Sequence, residues 1–216
     1  MARVVLIATL LLLGTTAPAA ARSAEGHVSQ VVGVDSWPPA IAWRESEAVG
    51  LWWAGRLRGG VQLPPEGLDW FTWDPVRKSQ PNRGWRRWGT DRLVWITLAV
   101  LRDYRTAHPE APRVGIGDLS RRHGGEFGRR FGGLGHMSHQ NGLDIDIYYP
   151  RLDGRERRPF KPSQVDVDRS QELVDRFVAA GARTVYVGPS LALRGPRRVV
   201  EPLVHHDDHL HVRLTR

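Results

Sequence analysis

The chain is 216 residues long, carries 31 Lys and Arg against 23 Asp and Glu for a net charge of +8, and contains no cysteine. That length suits one ordinary domain with a full-sized core, and the missing thiols exclude disulfides, thiolate metal sites, a cysteine nucleophile and a lipidated cysteine anchor. The positive balance favours polyanionic partners. Because the arginines are scattered and no helix-turn-helix, zinc-finger or RNA-binding signature accompanies them, nucleic acid is not the expected partner.

Residues 1–21 read as a signal peptide. Arg3 is the one charge ahead of an apolar run from Val4 to Leu13, which is too short to anchor in a bilayer, and Ala19-Ala20-Ala21 offers small residues for cleavage. Export to the periplasm, cell wall or medium is therefore expected. Residues 22–48 are of mixed composition with Pro38-Pro39 and no clear period, and read as a poorly ordered lead-in before a domain over 49–216.

All nine tryptophans fall between Trp37 and Trp95. Core packing is the favoured role for them, with a sugar- or peptide-binding groove lined by Trp52, Trp53, Trp70, Trp73, Trp85 or Trp88 as the alternative. Thr90 followed by Asp91 predicts a helix start, and Leu93, Ile96, Val100, Leu101 and Tyr104 recur at helical spacing up to a stop before Pro109. Arg113 to Ile116 reads as a short strand. It enters a stretch with nine glycines from Gly115 through Gly142, interspersed with Arg121, Arg122, Arg129 and Arg130. No Gly-Lys-Ser/Thr ending is present, so a phosphate loop is excluded and an active-site wall is expected instead. Residues 151–162 read as a surface excursion, Asp168 as the cap of a second helix closed by Gly181, and Arg183 to Val187 as a further strand.

Two strands carry the chemistry. From Leu143 to Tyr149 the apolar Leu143, Ile145 and Ile147 alternate with Asp144, Asp146 and Tyr148. In the last segment His209, His211 and Arg213 alternate with Leu210, Val212 and Leu214. Paired side by side, they bring Asp146 near His211, and Gly142 permits the turn that swings His139 to the same point. Two imidazoles and a carboxylate are a ligand set for a catalytic zinc ion with one position left for water. His209, on the same strand face as His211, is placed to act as general acid and base. Asp207 and Asp208 are candidates to orient imidazoles, while Asp118, Ser120 and Ser138 are as readily turn-buttressing residues. His27, His108, His123 and His205 read as surface residues.

The segments Gly117-Asp118-Leu119-Ser120, His136-Met137-Ser138-His139-Gln140-Asn141-Gly142-Leu143-Asp144-Ile145-Asp146 and His206-Asp207-Asp208-His209-Leu210-His211-Val212-Arg213 occur in this order. Together they resemble the penicillin-insensitive murein endopeptidases, within the lysostaphin, D-Ala-D-Ala metallopeptidase and hedgehog group of zinc proteins. The resemblance implies an α+β fold, a small antiparallel sheet with helices packed on it, and a zinc-dependent hydrolase that cuts peptidoglycan cross-links between D-Ala and a diamino acid. It implies Zn2+ at His139, Asp146 and His211, with His136 as a further ligand, and His209 and His206 as catalytic residues. The expected partners are peptidoglycan peptide stems, together with anionic cell-wall polymers. The alternatives are a D,D-carboxypeptidase or another peptidoglycan amidase of the same group, and a non-catalytic zinc-containing wall-binding protein.

Overall fold

The computed structural model describes residues 40–128 and 136–216. The signal segment, most of the lead-in, Trp37, His27, Arg129 and Arg130 lie outside these residues.

Among the described residues ten strands and two α-helices follow one another as β1 (Glu47–Leu51), β2 (Ala54–Arg58), β3 (Val61–Gln62), β4 (Trp70–Thr72), β5 (Trp88–Gly89), α1 (Asp91–Ala107), β6 (Val114–Ile116), β7 (Asp144–Tyr148), α2 (Val167–Ala179), β8 (Ala182–Val187), β9 (Val200–Pro202) and β10 (His209–Leu214). A six-stranded sheet in the order β4-β6-β7-β10-β8-β9 carries the site, while β1-β2 and β3-β5 form separate two-stranded ribbons. The α+β class is as expected, but the sheet is mixed. Its four central strands pair antiparallel. The outer pairs β4-β6 and β8-β9 are parallel, because each is reached through a long connection rather than a hairpin.

The register makes the two alternating strands face each other as their sequences require. His211 pairs with Asp146, His209 with Tyr148 and Arg213 with Asp144. On the opposite face Ile145, Ile147, Leu210 and Val212 are fully buried with Val185 of β8. Helix α2 lies against β8, and α1 lies against α2, so Leu93, Leu101, Leu173 and Phe177 close the core on the helical side.

Thr90 caps α1 as expected, its hydroxyl accepting from the Leu93 amide at 3.1 Å. Its own N–H donates to the carbonyl of Gly142 at 2.9 Å, tying the helix start to the turn that presents His139. Thr90→Ala is expected to cost about 1 kcal/mol in urea unfolding, with Thr90→Ser close to wild type. For α2 the cap is Asp166, not Asp168: the Asp166 carboxylate accepts from the Arg169 amide at 3.1 Å, and Asp168 sits in the first turn. Gly181, at φ +85°, follows the helix end as expected.

Candidate metal centre

Four imidazoles and one carboxylate converge where β7 and β10 run side by side. His139 is fully buried and adopts φ +67°, and Gly142 adopts φ +78°. A Cβ on Gly142 would stand 2.8 Å from Leu57 Cδ1, so only glycine lets this turn close. The bend brings His139 Nε2 to 3.3 Å from Asp146 Oδ1. From the strand, His211 Nδ1 comes to 3.1 Å and His209 Nε2 to 3.7 Å of the same oxygen. The structure thus brings His139, Asp146, His209 and His211 together at one point.

The outer hydrogen bonds assign a tautomer to each ring. His139 Nδ1–H donates to the Leu119 carbonyl at 2.6 Å, leaving the Nε2 lone pair toward Asp146. That buried nitrogen makes no hydrogen bond. On His211 Nε2–H donates to Asp144 at 2.9 Å and Nδ1 meets Asp146 at 3.1 Å, so carboxylates engage both nitrogens. His209 Nδ1–H donates to Asp208 at 2.7 Å, and His206 Nδ1–H to the Val204 carbonyl at 2.8 Å, so each keeps Nε2 unprotonated when neutral. For His206 this leaves Nε2 as a hydrogen-bond acceptor.

Among the described residues, His136, His139 and Asp146 form the one group whose ligand atoms all lie within 4.8 Å of one another. His211 stands outside that group, yet it approaches Asp146 more closely than His136, whose Nε2 is 3.9 Å from Asp146 and 2.9 Å from Asp118. An orphaned buried nitrogen on His139 and a carboxylate approached by several imidazoles fit a divalent cation that accepts N/O donors.

Electrostatics point the same way. Burial by itself would raise the Asp146 carboxyl, but the imidazoles of His139, His209 and His211 overcome it and hold the group well below the ordinary carboxylate range. Burial pushes His139 down, and takes His206 down to about 4. It would lower His211 too, but the hydrogen bonds that the ring donates to Asp144 and Asp146 raise it to about 9. A cation would replace that proton as the counter-charge to the two carboxylates.

Behind the rings lies a buried layer that sequence reasoning did not foresee. Asp118 is not a turn buttress: its Oδ1 accepts from Arg86 Nε at 2.6 Å and Asn82 Nδ2 at 2.9 Å, while Oδ2 meets a second Arg86 nitrogen and His136. Arg86 and Asp118 are both fully buried. Asp144, one position of the strand alternation, bridges His211 and Arg213. Of the two neighbouring acids, Asp208 bonds an imidazole, whereas Asp207 accepts from the Ser190 amide and hydroxyl. His108 pairs with Glu172 at 2.6 Å, a link from the end of α1 to α2 that spacing could not supply.

The centre opens into a cleft of roughly 660 Å³ whose lining includes Trp52, Tyr148, Arg158, Tyr186, His206 and Arg213. The tryptophans divide. Trp70 and Trp73 are core residues, Trp53 is exposed, and Trp52 lines the cleft with the Arg213 guanidinium 4.1 Å from its ring centre. The described part of the glycine-rich stretch packs on β2, where the Leu57 amide donates to the His123 carbonyl and Gly124 bridges Arg56. His205, at φ +66°, is exposed, as expected, and stands at the lining of the cleft.

A family model described as penicillin-insensitive murein endopeptidase matches residues 48–189, more than half of the chain. The match includes His136, His139 and Asp146 and ends before the His206–His211 segment, which the geometry alone joins to the site. No curated protein matches the chain.

Proposed function

Since the chain belongs to the penicillin-insensitive murein endopeptidase family, we propose that it is an exported zinc peptidase that hydrolyses the peptide cross-link of peptidoglycan between D-Ala and a diamino acid. The observation that carries this reading is the convergence of His139, His211 and His209 on one oxygen of Asp146 at the floor of an open cleft. We assign His139, Asp146 and His211 as ligands, and His136 is close enough to serve as a further one. A zinc ion held by these residues would lower the pKa of a water toward neutrality and polarise a peptide carbonyl.

The rest of the chemistry belongs to side chains. His209 takes the proton of the attacking water at Nε2 and returns it to the leaving amine, while its Nδ1–H stays on Asp208. Burial keeps His206 neutral at pH 7, so its Nε2 accepts a hydrogen bond from substrate or water in the cleft. Trp52 offers an aromatic wall on which an alkyl segment of the peptide stem packs. No helix among the described residues is long and apolar enough to cross a membrane, which accords with action in the periplasm or cell wall, and the net positive charge suits anionic wall polymers.

The test is digestion of purified cross-linked and uncross-linked muropeptides, read by mass spectrometry. Loss of the dimer with gain of two monomers supports the endopeptidase. Release of terminal D-Ala alone would make it a carboxypeptidase, and wall binding without product would make it a binding module. In the same assay His209→Ala is expected to retain zinc and to lose about 10²- to 10⁴-fold in kcat, the usual contribution of a positioned acid-base group.

A further inference from the structure

The segment 151–162, expected to be a surface excursion, delivers an arginine to the cleft. Arg151 is buried, and its guanidinium holds Asp153 at 2.7 Å and Gln164 at 2.9 Å. Gln164 in turn accepts from the Phe160 amide at 2.8 Å. The fixed loop sets Arg158 over the Phe160 ring, 5.0 Å from its centre, and sends Nη1 to Asp208 Oδ2 at 2.5 Å. The other oxygen of Asp208 accepts from His209 Nδ1–H at 2.7 Å.

We propose that Arg158 and Asp208 are positioning residues for His209: Arg158 fixes the carboxylate of Asp208, which holds the His209 ring in the tautomer whose Nε2 faces Asp146. The proposal rests on the role given above to His209. Each partner excludes an alternative. A carboxylate has no N–H of its own, so Nδ1 must be the protonated nitrogen. Arginine presents only donors, so the pairing is defined at both oxygens. Asp208 does not take up the proton during the reaction; it keeps the ring oriented while Nε2 gains and loses one.

The arrangement makes an uncommon prediction about a double variant. In Asp208→Asn the Arg158 guanidinium retains the amide oxygen, which turns the amide NH2 toward His209 and forces Nδ1 to become an acceptor. The proton then moves to Nε2, where it blocks base catalysis. Adding Arg158→Met releases the amide, whose oxygen can turn to His209 and restore the Nδ1–H tautomer.

The full-length protein without metal is examined by ring 15N NMR at a pH where the rings are neutral, the His209 signals being those absent from His209→Ala. The wild type should show His209 protonated at Nδ1, Asp208→Asn at Nε2, and the double variant at Nδ1 again. In zinc-loaded protein, Asp208→Asn should lose about 10²- to 10⁴-fold in kcat with KM and zinc content unchanged, and the double variant should recover at least tenfold of that loss. An unchanged tautomer in Asp208→Asn, or a double variant no better than the single, overturns the proposal. Should the wild type release no product, the tautomer series still decides the positioning claim while the hydrolase reading alone fails.

Discussion

His139→Ala is expected to leave the purified protein without bound zinc and without measurable hydrolysis of cross-linked muropeptides. The residue is fully buried, its Nδ1–H is fixed on the Leu119 carbonyl, and its Nε2 makes no hydrogen bond. A buried imidazole nitrogen left in that state is costly unless something binds it, and beside a carboxylate a cation is the partner that fits. Outer-shell partners of a metal carry roughly 10- to 100-fold in affinity, so removal of a direct ligand should exceed that. Zinc content by atomic absorption and the zinc-dependent rise in Tm are the measurements, because a bound ion stabilises the folded state by mass action. His211→Ala should behave alike. His136→Ala should lose less zinc than either, because His136 Nε2 lies 2.9 Å from Asp118 and 3.9 Å from Asp146. A full complement of zinc in His139→Ala would overturn the ligand assignment.

The parts of this centre that were legible in the sequence are those set by short-range periodicity. Two-residue alternation in β7 and β10 fixed which side chains share a face, and their pairing put Asp146 opposite His211. Gly142 and the Thr90 cap were legible because each has a local cause, a positive φ and an orphan amide. The α2 cap was misplaced by two residues, since Asp166 and Asp168 both precede the apolar period and only the path of the incoming chain separates them. The edge strands β4 and β9 have three residues each, too few to show alternation or reveal parallel pairing. Arg86 with Asp118, and Arg158 with Asp208, are separated by 32 and 50 residues, so no local pattern encodes them. They become visible only when the chain closes, and both turn out to buttress histidines of the site.

The first of those pairs yields the largest expected effect on stability. Arg86→Met should destabilise the protein by about 3–5 kcal/mol at pH 7, because it leaves the Asp118 carboxylate buried without its cation. Burial alone would raise the Asp118 carboxyl; the hydrogen bonds from Arg86 and His136 reverse this and bring it down to about 2. A folded-state pKa below the unfolded value contributes stability that is complete above about pH 4 and lost as pH falls toward 2, on the order of 2 kcal/mol here. In Arg86→Met the sign inverts. The unpaired carboxyl titrates above its unfolded value, so acid relieves the variant while it weakens the wild type, and the gap between them narrows as pH falls. Urea unfolding at pH 7 and near pH 4 measures this directly. The double variant Arg86→Met/Asp118→Leu should recover most of the loss at neutral pH, since an apolar pair of similar size leaves no charge to neutralise. A penalty that stays constant or widens in acid would mean that Arg86 acts through its stacking between Trp85 and Phe127, whose ring centres lie 4.9 and 4.8 Å from the guanidinium, and not through the ion pair.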